Sequence, residues 1–180
     1  KAVALDERDG NNQFALGIAC LVLGDGERAI PSLEKSVDLN PSSAASHYGL
    51  GMALYWFGRA EEALPRLTLA IRLRPHDPRL WLFHAIRSYA HIMLDEFDLA
   101  IVDAKAAIQS KRDIFGPHMA LAAAYSLSGR HDEARTAYDR AHKLNPELSA
   151  ADFASLMGTL HPPYLEIILD ALHQAGMPEK

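Results

Sequence analysis

One cysteine, Cys20, stands in a chain of 180 residues, so no internal disulfide forms and nothing calls for an oxidising compartment. No apolar run approaches the roughly 18 residues of a membrane span, and no stretch of the sequence reads as a signal peptide. Basic residues are too few and too scattered for a nucleic-acid surface. The 18 Lys and Arg are outnumbered by 23 Asp and Glu, and they sit near acids, as in Arg59-Ala60-Glu61-Glu62 and Arg130-His131-Asp132-Glu133. Also missing are a phosphate loop, a Ser-His-Asp arrangement and a paired-carboxylate motif, which leaves no catalytic constellation and no cofactor to expect. Cys20, among Leu16, Ile18, Ala19 and Leu23, reads as a small core residue rather than a nucleophile.

What the chain does have is recurrence. Ala29, Ala63 and Ala134 each precede a proline by twelve residues (Pro41, Pro75, Pro146), and Pro75 follows Pro41 by 34. The segments 10–43, 44–77 and 115–148 align, with Gly17, Gly51 and Ala122 at the eighth position and the three alanines at the twentieth. Leu33, Leu67 and Tyr138 occupy the twenty-fourth. Small residues at eight and twenty let two antiparallel helices approach closely, the large one fills the space beside them, and proline ends the second helix. Gly24, Gly58 and Gly129 fall in the turns between paired helices.

Segment 78–114 is the irregular member, with 37 residues. Trp81 stands at its fourth position, and the second-helix pattern of Ala100, Ala104 and Ala107 arrives three residues late. The expectation is a first helix one turn longer, from about Pro78 to Met93, with proline at its start. Residues 1–9 read as the end of a preceding repeat helix, since residues 1–6 parallel 35–40, which predicts an earlier repeat upstream. Residues 149–180 form the carboxy-terminal cap: a short helix after Ser149, then a helix from about Tyr164 to Ala175. The apolar face of that last helix (Leu165, Ile168, Leu169, Leu172) is expected to cover the last layer of the stack.

These spacings identify the chain as resembling the tetratricopeptide-repeat family, which implies an all-α, right-handed α-solenoid of antiparallel helix pairs with a C-terminal helical cap. A narrower resemblance lies in Ser46-His47-Tyr48-Gly49-Leu50-Gly51, in the run from Trp56 through Gly58-Arg59-Ala60-Glu61-Glu62 to Pro65, and in Arg72-Leu73-Arg74-Pro75-His76-Asp77-Pro78 with Trp81. These are similar to the carboxy-terminal repeats of bacterial class III adenylate cyclases and of related winged-helix regulators. The tail, with Pro162-Pro163 and Gln174-Ala175-Gly176-Met177-Pro178-Glu179, is similar to their closing segment, except that His173-Gln174 replaces a basic pair. The resemblance implies a non-catalytic regulatory module at the carboxy terminus of a bacterial cytoplasmic signalling protein. Alternatively, it implies an intramolecular or dimerisation region of a cyclase, or the effector region of a winged-helix regulator.

In such arrays the first helix of each unit lines the concave side, through its second, fifth, ninth, twelfth and thirteenth positions. That gives Asn11, Phe14, Ile18, Leu21 and Val22, then Ala45, Tyr48, Met52, Tyr55 and Trp56, then Arg79, Leu82, Ile86, Tyr89 and Ala90. Phe14, Ile18, Tyr48, Met52, Tyr55, Trp56, Leu82, Ile86 and Tyr89 are the candidate contact residues, because rigid aromatics bury much area at little entropic cost. Two readings stand side by side: a groove for an amphipathic helix or extended segment, or a groove filled by its own curvature or by the folded-back cap. The partner is a protein or peptide segment, another domain of the same chain, or a second copy. Phe14 and Ile18, or Tyr48 and Met52, stand where a clamp for acidic tails carries lysine and asparagine, so a carboxylate clamp is not expected. His84 and His91 share a helix face with Ser88, but no His-x-x-x-His pair or cysteine cluster accompanies them, so no metal is expected. His47 and His118 read as packing residues at the fourth position. Asp95, Glu96, Asp98 and Asp103 read as acids serving a helix start.

Overall fold

Asp9, Asp25, Ser43 and Ser149 start helices by one device: a side-chain oxygen accepts a first-turn amide that has no partner within its helix. At Ser149 the device is reciprocal, with the Asp152 carboxylate accepting the Ser149 amide. A computed structural model describes residues 9–158 and 160–178; the expected end of a preceding repeat (1–8) and Glu179 lie outside the described residues.

Among the described residues there are ten helices and no strand. They are α1 (Gly10–Val22), α2 (Gly26–Leu39), α3 (Ala44–Trp56), α4 (Ala60–Leu73), α5 (Leu80–Ile92), α6 (Phe97–Ser110), α7 (Phe115–Leu127), α8 (His131–Leu144), α9 (Ala150–Met157) and α10 (Pro162–Gln174). The pairs α1/α2, α3/α4, α5/α6 and α7/α8 pack most extensively, and each later first helix packs on both helices of the pair before it. The result is the all-α solenoid of stacked helix pairs. None of these helices is long and apolar enough to cross a membrane.

The pairing depends on the small residues. A Cβ built on Gly17 would lie 2.5 Å from Leu33 Cγ and 3.2 Å from the Ala29 carbonyl oxygen. One built on Gly51 would lie 2.7 Å from Leu67 Cγ and 3.3 Å from the Ala63 oxygen. Ala29, Ala63, Ala100, Ala122 and Ala134 are wholly buried. The turns repeat too: the amides of Gly24, Gly58 and Gly129 return to the helix just ended, and all three have positive φ. In the third pair Asp95 takes that place with φ 58°, a left-handed conformation that aspartate tolerates better than most residues.

The third unit differs from the sequence expectation. Helix α5 has 13 residues, as do α1, α3 and α7, and is not a turn longer. The added residues lie in the linkers: residues 74–79 join α4 to α5 where 40–43 join α2 to α3, and 93–96 form the turn where 23–25 suffice in the first unit. Pro78 precedes the helix instead of opening it, because Asp77 accepts the Arg79 amide through its side chain and the Leu80 amide through its carbonyl. Helix α5 therefore meets α6 three residues later than expected. Ser88, not Ala85, takes the close-contact place, its hydroxyl donating to the Ala100 carbonyl at 2.8 Å. His84, not Trp81, takes the fourth position alongside Gln13, His47 and His118. Three residues are nearly one helical turn, so either register leaves similar side chains on the same face.

A helix continuing the stack would lie on α8, yet α10 packs on α7, and the chain entering it reaches back to α3. Helix α6 ends at Ser110 without proline, its next amide bonding the Ala107 carbonyl as Asn40, Arg74 and Asn145 bond theirs.

Ala63→Leu should force a branched side chain into the α3/α4 contact and cost about 1–3 kcal/mol in urea unfolding. An unchanged midpoint would show that this alanine does not set the spacing.

Candidate partner-binding wall

The first helices of the pairs present their twelfth and thirteenth positions near their C-terminal ends, and α10 lies across these ends. The His161 amide donates to the Trp56 carbonyl at 2.7 Å, and the Tyr164 hydroxyl donates to the Gly58 carbonyl at 3.0 Å. The Tyr164 ring stacks on Tyr55 at 5.8 Å between centroids, and Tyr55 stacks in turn on Tyr89 at 6.4 Å. At the other end the Ser126 hydroxyl donates to Gln174 Oε1 at 3.2 Å. Between these anchors Ile168, Ala171 and Leu172 are buried. Helix α7 offers Ala123 and Ser126 there, side chains small enough for another helix to come close.

This arrangement divides the nine candidate contact residues. Tyr55 is fully buried between two rings, and Tyr89 is 5% exposed. Tyr48 is buried against Phe83, centroids 4.5 Å apart, with its hydroxyl on Met52 Sδ. Ile86 is buried, and the later register of α5 takes it off the lining series. These four are buried in this structure, Tyr55 under Tyr164 and Tyr48 against Phe83. Burial pushes the phenols of Tyr48, Tyr55 and Tyr89 well above their ordinary value, so all three stay neutral hydrogen-bond donors.

Phe14, Ile18, Met52, Trp56 and Leu82 remain half-buried. Phe14 and Ile18 pack over the bare backbone of Gly49, where an added Cβ would meet them at 2.9 and 3.3 Å. Beside them Val22 and Leu23 are 70% and 81% exposed, the most open large apolar residues among those described. Leu23 was not anticipated. Its signal is the run Leu21-Val22-Leu23 at a helix end, where one residue alone, Leu21, turns fully inward. Of the seat of α10 on the wall, the sequence shows only a helix with an apolar face.

The polar cluster of the third unit lies elsewhere, between α5, α6 and α4. Asp103 is 1% exposed and not at a helix start, which corrects its reading as a helix-start acid. It accepts His84 Nδ1 at 2.8 Å and two Arg87 nitrogens at 2.6 and 2.7 Å, while Arg87 also reaches Thr68 on α4. His91 Nε2 stands 3.6 Å away, and its Nδ1 meets Glu96 at 2.6 Å. A guanidinium thus fills the place a cation would take, and the cluster reads as a buried ion pair. Burial opposes ionisation of Asp103, but the hydrogen bonds from His84 and Arg87 outweigh it and hold the carboxyl below its ordinary 3.8. His47 is buried with Nε2 on the Pro41 carbonyl at 2.9 Å, and Cys20 is buried in the core.

Models of the tetratricopeptide repeat match residues 14–78 and 116–148, together more than half of the chain. No match is found among curated proteins. Similar solved structures include MamA from Desulfovibrio magneticus RS-1, 17% identical with TM-score 0.69, covering 95% of this chain and 97% of that one. PilW, titled a widely conserved type IV pilus biogenesis factor, is 16% identical with TM-score 0.75, covering 94% and 76%. The Cut9–Hcn1 hetero-tetramer of the APC/C is 17% identical with TM-score 0.76, covering 93% of this chain and 30% of that one. At these identities the likeness is one of fold.

Two outcomes follow from the geometry. Tyr55→Ala should cost about 3–5 kcal/mol as a cavity in the core, whereas Tyr55→Phe should cost nothing measurable because the hydroxyl it removes is unpaired. Equal costs in urea unfolding would overturn this placement. Asp103→Ala should cost about 3–5 kcal/mol near neutral pH, since it leaves Arg87 buried without its carboxylate. Because folding lowers the Asp103 pKa, its contribution is complete above the ordinary carboxylate value and is lost as pH falls through and below it. The stability gap to the unsubstituted chain should close on acidification, and a gap independent of pH would contradict the ion pair.

Proposed function

Because the chain belongs to the tetratricopeptide-repeat family and is a non-catalytic protein-interaction module, we propose that the open part of its inner wall receives an apolar helix or extended segment of a partner protein. The observation that carries this reading is α10 itself: the same wall, a few residues along, already holds an amphipathic helix. The open part is formed by Phe14, Ile18 and Met52 with Leu82, and continues onto exposed Val22 and Leu23. Such a strip, apolar and edged by half-buried side chains, is the surface a helix-in-groove partner covers.

The finer placement rests on the sequence resemblance alone. It supports a cytoplasmic bacterial signalling protein as parent, with a nucleotide-cyclase or winged-helix domain elsewhere in the same chain. Under that reading the segment on the wall belongs to that domain or to a second copy. Sequence upstream of Lys1 in the parent gene tests it directly: a cyclase or winged-helix domain there supports it, and any other neighbour removes it.

A photo-crosslinking side chain placed at Ile18 or Met52, in the native cell, should give a discrete protein adduct. The same group at exposed Lys105, on α6, should give none. Adducts from position 105 with none from 18 or 52 would move the interface off the inner wall, and an adduct of twice the chain mass would identify the partner as a second copy.

A further inference from the structure

The seam between α10 and the wall gathers most of the unpaired buried polar atoms of the structure. Tyr55 Oη, Trp56 Nε1 and Tyr89 Oη on the wall, and His161 Nδ1 where the chain enters α10, find no hydrogen-bond partner among the described residues. His173 Nε2, on α10, and His47 Nδ1 share that condition. Each such group lacks a protein hydrogen-bond partner, and native interiors leave few in that state. The contact with α10 satisfies the wall in shape and apolar character and leaves three of its donors without a protein acceptor.

The seat is otherwise well made for a helix. Side-chain or loop hydrogen bonds anchor α10 at its two ends, and between them the contact is apolar: Ile168, Ala171 and Leu172, flanked by half-buried Leu165 and Leu169. Four residues separate α9 from α10, beginning at Gly158 with φ 53°. An indole nitrogen only donates and a neutral phenol donates readily, so the chemistry common to Tyr55, Trp56 and Tyr89 is a demand for acceptors. The buried face of α10 supplies Tyr164, Leu165, Ile168, Ala171 and Leu172, and among these only the Tyr164 hydroxyl is polar; it is already spent on Gly58.

We propose that the seat of α10 is an exchangeable helix site, taken in the functional complex by a partner's amphipathic helix that brings side-chain amide or carboxylate acceptors to Tyr55, Trp56 and Tyr89. This goes beyond the open strip at Phe14, Ile18 and Met52: it is a second site, beside the first, held closed by the chain's own last helix. The occupant is an amphipathic helix because the seat fits one now, and its polar character is fixed by what the wall lacks.

The test uses the full chain and labelled synthetic peptides of residues 160–178, one unsubstituted and three carrying Tyr164→Gln, Leu165→Gln or Ile168→Gln. Followed by fluorescence anisotropy, at least one substituted peptide should bind roughly tenfold more tightly than the unsubstituted one, the worth of about one hydrogen bond. That gain should vanish against a chain carrying Tyr55→Phe, Trp56→Phe or Tyr89→Phe, whose folding is checked by circular dichroism. At saturation the amides of the chain's own α10 should lose their protection from hydrogen exchange. No gain from any glutamine, a gain indifferent to all three aromatic variants, or an α10 that stays protected would each overturn the proposal. Loss of α10 protection, which binding at the open strip would not cause, separates this site from that strip.

Discussion

Contact between paired helices at positions without room for a side chain is the constraint from which the rest of the molecule follows. A methyl group on Gly17 or Gly51 would overlap the leucine opposite, and the alanines facing them are wholly buried. Such closeness leaves one relative placement of the two helices, and repeating it every 34 residues in the regular units fixes how one pair sits on the next. Once the stack exists, the first helices have one face committed to their neighbours and another exposed as a continuous wall. Part of that apolar wall is covered by α10.

The repeat itself was legible because its chemistry is local and recurrent: small residue, turn glycine, small residue, large residue, proline. The third unit was misread for a physical reason. Trp81 mimics the fourth position, and a slip of three residues changes a helix face by little, so Leu82 and Tyr89 face inward in either register while Ile86 does not. What distinguishes the registers is Ser88 on the Ala100 carbonyl and Asp95 in the place of a turn glycine, neither of which matches the small-residue pattern. The seat of α10 was illegible for another reason. Its apolar face shows in the sequence, but its choice of α7 over α8 depends on the small side chains that α7 presents and on a reach of more than 100 residues from Tyr164 to Gly58. Such pairings leave no periodic trace.

That pairing also explains why large aromatics on the inner face need not be exposed. Tyr48, Tyr55 and Tyr89 look like hot spots in the sequence because they are large, rigid and on the inner face, yet Tyr48 stacks on Phe83 and the other two form a ladder with Tyr164. The open surface is carried instead by half-buried Phe14, Ile18, Met52 and Leu82, with Val22 and Leu23 at its edge. The inner wall is thus two stretches, one open and one under a helix.

The ion pair at Asp103 bears on how such an array can change over time. Elsewhere the seventh position of the first helix is leucine, at Leu16, Leu50 and Leu121, and any of those units could in principle follow any other. Arg87 instead spans a joint, tied to Asp103 within its own unit and to Thr68 in the one before. A duplication or deletion that separated these units would take Thr68 from Arg87 and leave the Asp103 pair, which lies within one unit, intact. The joint is thus marked by a neutral hydrogen bond, while the charge balance of the guanidinium travels with its own unit.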